Sequence, residues 1–263
     1  KIDYEKETVR AYGKDYEMKD LNLPTVDPEA PYKLTSEEEE VMCALEASII
    51  NSQKLQEHMH FMFSHGALYQ ITNNNLLFHG CITMTEDGEF KQVKIGEMEL
   101  SGAELFRYLD KAMRDAYYNP PEGKTKAEAG DLMWRLWLDK DSPLFGKDKM
   151  TTFERCFTDS KEAKKEHTTA YYKLIDRQET CEKILMDFGI VPEVGVILNG
   201  HVPVKIKDGE SPIKGNGKLY VIDGGISKAY QKTTGIAGYT FIYNSRFMAL
   251  AEHMPYEKLK EDG

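Results

Sequence analysis

Two histidines stand where an apolar run breaks off beside a glycine. Val194-Gly195-Val196-Ile197-Leu198 leads into Asn199-Gly200-His201-Val202-Pro203, and Leu76-Leu77-Phe78 leads into His79-Gly80-Cys81. An apolar, β-branched run with no polar alternation is what a strand buried on both faces requires. A histidine at the mouth of such a strand, with a glycine letting the backbone pass close by, suits a metal ion or a phosphate. The alternative is a hydrogen-bonded histidine that ends a strand. One such ending says little, whereas two in one chain point to a shared site, which requires His79 and His201 to converge at neighbouring strand tips. A third run, Leu219-Tyr220-Val221-Ile222, stops at Asp223-Gly224-Gly225. Asp223 could orient a metal-ligating imidazole from behind, or satisfy the backbone donors of its own turn. Lys205, Lys207, Lys214, Lys218 and Lys228 cluster around the Gly-His stretch. Positive charge gathered in an acidic chain suits an anionic substrate, and solvated turn lysines are the alternative. Lys147 and Lys149, in the turn-rich loop 141–150, are lesser candidates. His58, His60 and His65 read as surface or satisfied histidines.

The elements that must position these residues follow from periodicity and capping. Residues 1–34 carry Pro24, Pro28 and Pro31 and few periodic apolar positions, and read as an extended N-terminal arm. Thr35 and Glu38 form a capping box, and Glu37 to Glu40 put negative charge on a first helical turn. Val41, Leu45, Ile49, Ser52, Leu55, Met59 and Phe63 keep helical spacing to a stop at Gly66, which predicts one helix. The runs 67–71 and 76–78 flank Thr72-Asn73-Asn74-Asn75 and predict a hairpin, because asparagine tolerates positive φ. Ser101 and Glu104 are expected to cap a helix burying Leu105, Leu109, Met113 and Ala116. Thr125 and Glu128 are expected to open another, with Trp134 and Trp137 in core or interface packing. Residues 158–170 are charged and expected to be mobile. Asp176 and Glu179 are expected to cap a helix burying Cys181, Ile184, Leu185 and Phe188, with Gly189 as its stop. Strands near 194–199, 203–207, 218–223 and 238–243 fill the last third. Helices before strands, then strand after strand, predict a mixed α/β (α+β) fold with helices on one face of a mixed sheet. No boundary between domains stands out.

The chain has 263 residues, 41% of them hydrophobic and 11% aromatic, enough for a real core. A formal charge of −10 argues against nucleic acid or an anionic membrane as the main partner. No apolar run approaches the roughly 20 residues of a membrane-spanning helix, and no signal-peptide pattern is present. Cys43, Cys81, Cys156 and Cys181 lie far apart without a C-x-x-C, which is consistent with buried thiols in a reduced, cytoplasmic protein. The chain opens on Lys1 rather than methionine, and is expected to be a piece of something longer.

Several strings together resemble the class 3 fructose-1,6-bisphosphatases of bacteria: Leu76-Leu77-Phe78-His79-Gly80-Cys81-Ile82, the run from Ser142 to Arg155, Asn199-Gly200-His201-Val202-Pro203-Val204-Lys205, and Gly209-Glu210-Ser211-Pro212-Ile213-Lys214 leading into Val221-Ile222-Asp223-Gly224-Gly225. The resemblance covers essentially this whole chain and only the C-terminal part of that family's polypeptide. It implies residues 35–263 as the C-terminal portion of a calcineurin-like metallophosphatase sandwich, in which two packed mixed β-sheets are flanked by helices. It implies two metal ions, typically manganese, at the strand ends, with His79 and His201 on the same one. Many relatives carry a further histidine where this chain has Pro203, and the superfamily's Asp-x-His, Gly-Asp-x-x-Asp-Arg-Gly and Gly-Asn-His-Glu/Asp motifs are not found here. The chain is thus expected to hold half of a two-metal site, since two imidazoles fall short of the usual four ligands. The implied activity is hydrolysis of the 1-phosphate of fructose 1,6-bisphosphate, a gluconeogenic step, with Lys205, Lys214 and Lys228 on the substrate. The alternatives are a non-catalytic portion that covers and oligomerises with the missing N-terminal part, and a metallophosphoesterase with another phosphate-ester substrate. Surface left uncovered is expected to meet a symmetric partner or the 1–34 arm.

Overall fold

The computed structural model describes residues 2–20, 22–119, 126–225, 227–235 and 238–253. The chain divides into two compact units, residues 1–66 with 149–167, and residues 67–148 with 168–263.

In the first unit, β1 (Ile2–Asp3), β2 (Thr8–Ala11) and β3 (Lys14–Glu17) form an antiparallel meander rather than the extended arm expected of residues 1–34. The signal missed is Tyr12-Gly13, whose φ values of 50° and 81° make the two-residue turn that matches strand twist. Two helices follow, α1 (Ser36–Ile50) and α2 (Gln53–His65), where the periodicity predicts one. The Thr35 capping box forms as read. The break comes at Asn51-Ser52, because the Ser52 hydroxyl accepts from the amide of Leu55 and starts a new helix. Residues 158–167 are tied down: the Thr151 amide and hydroxyl both donate to Glu166, and Ala163 is fully buried.

The second unit holds the core. β4 (Tyr69–Thr72) and β5 (Asn75–Phe78) pair through a turn with both Asn73 and Asn74 at positive φ, as read. A small hairpin, β6 (Val93–Ile95) with β7 (Met98–Leu100), precedes α3 (Gly102–Tyr118) and α4 (Lys126–Leu138). Then come α5 (Gln178–Asp187), β8 (Ile197–Asn199), β9 (Ile213–Lys214), β10 (Leu219–Val221), α6 (Lys228–Thr234), β11 (Tyr239–Tyr243) and β12 (Met248–Glu252). The main sheet runs β4-β5-β8-β10-β9. Its three central strands are parallel and both edge strands antiparallel, so the fold is the expected α+β mixture. A strand at 203–207 does not form: Val204 donates to Asp223, a 3-10 turn follows at Ile206–Asp208, and Gly209 closes it at φ 77°.

Leu76, Ile197 and Leu219 are inaccessible to solvent at the sheet centre. Phe78, Phe106, Tyr171 and Phe188 interlock edge to face with ring centroids 5.6–6.1 Å apart, which locks α3 onto β5. From α5, Cys181, Ile184 and Leu185 complete the cluster, and Phe188 and Gly189 (φ 75°) follow as predicted. The predicted caps of both helices are corrected. Ser101 makes no cap and instead accepts from the Gln92 amide, while the amide of Ala103 donates to Asp187 at 2.6 Å. The residue before α5 is Arg177, and Asp176 pairs with Lys214. Thr125 lies outside the described residues. Trp134 and Trp137 are half-exposed and meet edge to face, outside the core. Cys81 and Cys181 are buried, but Cys43 and Cys156 are exposed. Among the described residues no helix is long and apolar enough to cross a membrane.

Candidate metal centre

Every candidate on the three central strands emerges at the same end of the sheet. β5 and β8 are parallel neighbours, with Leu77 opposite Leu198, so His79 and His201 leave adjacent strand tips. β10 runs parallel beside β8 and delivers Asp223. The tips are stitched together: Gly200 donates to the carbonyl of His79 at 3.0 Å, and Ile222 to that of Asn199 at 2.9 Å. The Asn199 amide reaches back to the Gly80 carbonyl at 2.8 Å. A Cβ on Gly80 would overlap the carbonyl oxygen of Pro143, and Cys81 donates to that same oxygen, which is why the chain has glycine after His79.

The two imidazoles meet. His79 Nε2 lies 3.2 Å from His201 Nδ1, with the rings at 70°. His201 adopts φ 69°, an uncommon conformation for a side-chain-bearing residue, and the turn thereby sets where its Cβ leaves the backbone. Its Nε2 sits 2.8 Å from the carbonyl oxygen of Phe145. A carbonyl can only accept, so Nε2 carries a proton and Nδ1 of the neutral ring presents a lone pair toward His79. Burial lowers the His79 pKa below its ordinary 6.5, His201 lowers it further, and Asp223 opposes both. The His79 imidazole therefore favours the neutral form that binds metal. Two nitrogens each about 2.1 Å from one ion, at a tetrahedral or square angle, stand roughly 3.0–3.4 Å apart. The observed separation fits that chord, and equally fits a hydrogen bond between the two rings when no ion is bound. No group of three or more His, Cys, Asp or Glu side chains is gathered for a metal among the described residues.

The remaining candidates separate. Asp223 lines the same cleft, but Oδ1 accepts from the amide of Gly225 at 2.9 Å, and no hydrogen bond joins it to either imidazole. Its turn-satisfying contact is made, and its charge also acts on His79. The part expected of it falls to the Phe145 carbonyl, which sequence reasoning missed because a backbone acceptor has no residue signature. Lys147 lines the cleft, of about 510 Å³, together with Thr168, Pro203 and Ser227. Lys205 and Lys214 line a second cleft beside it. Lys214 is held between Asp176 at 3.3 Å and Glu210 at 3.1 Å. Lys218 is bound to the carbonyl of Pro192 at 2.5 Å, and Lys228 starts α6 without lining either cleft. Lys149 belongs to the first unit, with its ammonium 4.4 Å from the Tyr12 ring centroid.

Residues 1–262 match the model of the Firmicute fructose-1,6-bisphosphatase family. The chain belongs to that family. A class 3 fructose-1,6-bisphosphatase of Alkaliphilus metalliredigens is 51% identical over 99% of this chain and 40% of its own length. The Clostridium tetani enzyme of the same name is 50% identical over 99% and 39%. That of Bacteroides thetaiotaomicron is 47% identical over 98% and 39%. The chain thus spans about 40% of the length of the curated relatives it matches. No solved structure matches it.

Proposed function

We propose that this chain is part of a bacterial, cytoplasmic fructose-1,6-bisphosphatase that hydrolyses the 1-phosphate of fructose 1,6-bisphosphate to fructose 6-phosphate and phosphate. His79 and His201 would hold one manganese ion of a two-metal centre. The observation that carries this reading is the pair of facing nitrogens, 3.2 Å apart, on adjacent parallel strand tips. Family membership supplies the substrate class, since the relatives are named fructose-1,6-bisphosphatases. When bound, a two-metal centre supplies an activated water and a positive clamp on the phosphate oxygens. This chain's own residues orient and select. Phe145 fixes the His201 tautomer, so its lone pair points into the cleft. Lys147, at the cleft wall, adds charge that favours a phosphate. Two imidazoles do not complete an ion's shell, so the other ligands and the acid for the leaving oxygen would come from outside this chain, and the chain alone is expected not to turn over. That shortage also supports a second reading, a non-catalytic portion that covers or oligomerises with the rest.

Phosphate release by the full-length protein with manganese tests the reading. His201→Ala and His79→Ala should each lower the rate on fructose 1,6-bisphosphate more than 100-fold. Manganese binding, followed by calorimetry, should weaken in parallel. Undiminished manganese affinity in both variants would assign the imidazoles a purely structural role.

A further inference from the structure

We infer that the second cleft, which shares a wall with the histidine cleft, is the subsite for the hydroxyl-bearing body of the substrate rather than for a second phosphate. The inference rests on the phosphatase reading above and assigns part of its substrate recognition. The two clefts share Thr168, Val202 and Pro203, so a ligand anchored at the imidazoles extends past that wall into the second, of about 230 Å³.

Its charges decide what it holds. Lysines at 205 and 214 read at first as an anion site. Yet Lys214 lies between Asp176 and Glu210, and Glu210 also accepts from the amide of Lys205 at 3.0 Å. Two ammonium groups and two carboxylates sum to zero, so no surplus positive charge remains to attract a second phosphate. What the lining offers instead is a mixture of donors and acceptors on fixed supports. The Tyr172 hydroxyl donates a long hydrogen bond to the Gly80 carbonyl at 3.4 Å and keeps its oxygen lone pairs as acceptors. Asn199 also lines the cleft; its amide nitrogen is used on Gly80, while its buried Oδ1 has no hydrogen-bond partner. Paired charges, a hydroxyl and an unsatisfied carbonyl oxygen match the alternating donors and acceptors of a polyol. A site built to bond hydroxyls rejects ligands that lack them, because its own polar groups are then left unpaired.

Glu210→Gln separates a polyol subsite from an anion subsite by the sign of its effect. It keeps the side chain's size and an acceptor for the Lys205 amide but removes the charge that neutralises Lys214. Affinities of this chain with manganese are measured by calorimetry for fructose 6-phosphate, fructose 1,6-bisphosphate and inorganic phosphate. A polyol subsite predicts about three- to tenfold weaker binding of both sugar phosphates and unchanged inorganic phosphate. Tyr172→Phe, which leaves the charges alone, should give the same pattern. Tighter binding of the bisphosphate by Glu210→Gln, or sugar-phosphate affinities unmoved by both variants, would overturn the subsite and leave the phosphatase reading standing. If the unaltered chain binds sugar phosphates no more tightly than inorganic phosphate, the subsite falls, while the phosphatase reading is decided separately by phosphate release from the full-length protein.

Discussion

At the scale of single residues, the site turns on which nitrogens carry protons. His79 is pressed toward neutrality by burial and by His201 beside it. In chelator-treated protein it should titrate below 6.5, which side-chain NMR reads directly. The sign for stability follows. Above pH 6.5 both folded and unfolded chains hold the neutral ring. As pH falls, the unfolded chain takes up its proton first, so stability drops from about pH 6.5 until the folded pKa is passed, and is flat below. The urea midpoint should follow that course, and His79→Gln should flatten it. Glycine 80 gives a second test: an added methyl would push Pro143 off the strand end. Gly80→Ala should cost about 1–3 kcal/mol by urea unfolding and disturb the loop that presents Phe145. How much of this was legible follows from what carries it. His79 and His201 were visible because residue type and strand ending coincide. The proton direction was not, because it is set by the Phe145 carbonyl 56 positions away in the chain. Asp223 stays open between two roles in the sequence because an aspartate before two glycines is equally a turn residue, and one of its carboxylate oxygens does accept from the Gly225 amide.

At the scale of elements, apolar periodicity located helices well and capping chemistry less well. Of the predicted stripes of α3 and α5, Leu105, Leu109, Cys181, Ile184 and Leu185 are buried, while Met113 and Ala116 are only partly so. Their caps were assigned to the nearest Ser and Asp, yet the donor-rich end of α3 takes its carboxylate from Asp187, 84 positions downstream. Sequence can show that a helix start needs an acceptor but not that a distant helix supplies it. Asp187→Ala should therefore destabilise the second unit by about 1–2 kcal/mol, the range for a lost charged cap. Asp187→Asn, which keeps an acceptor, should recover most of that. Calorimetric melting of both variants checks this, and equal losses would mean that packing, not capping, is what Asp187 supplies. Strand prediction at 203–207 failed because alternation there reflects a loop closed by Glu210 and Asp223 rather than a ladder.

At the scale of the whole molecule, burial is uneven. The second unit encloses a continuous apolar cluster from Leu68 to Val221. None of the 15 residues of α1 is buried, although the helix carries Val41, Met42, Leu45, Ile49 and Ile50, all more than half exposed. Their contribution to folding is accordingly small, since apolar side chains stabilise in proportion to the area they remove from water. Exposed apolar stripes of this kind instead favour self-association and dye binding. Leu45→Glu with Ile49→Glu should thus leave the urea midpoint nearly unchanged, within about 0.5 kcal/mol, the usual range for surface changes. The same pair should sharply reduce the fluorescence of a bound hydrophobic dye and any concentration-dependent sedimentation. A large loss of stability would instead mean that α1 is packed in solution, because a helix whose stripe is truly in water has little folding energy to lose.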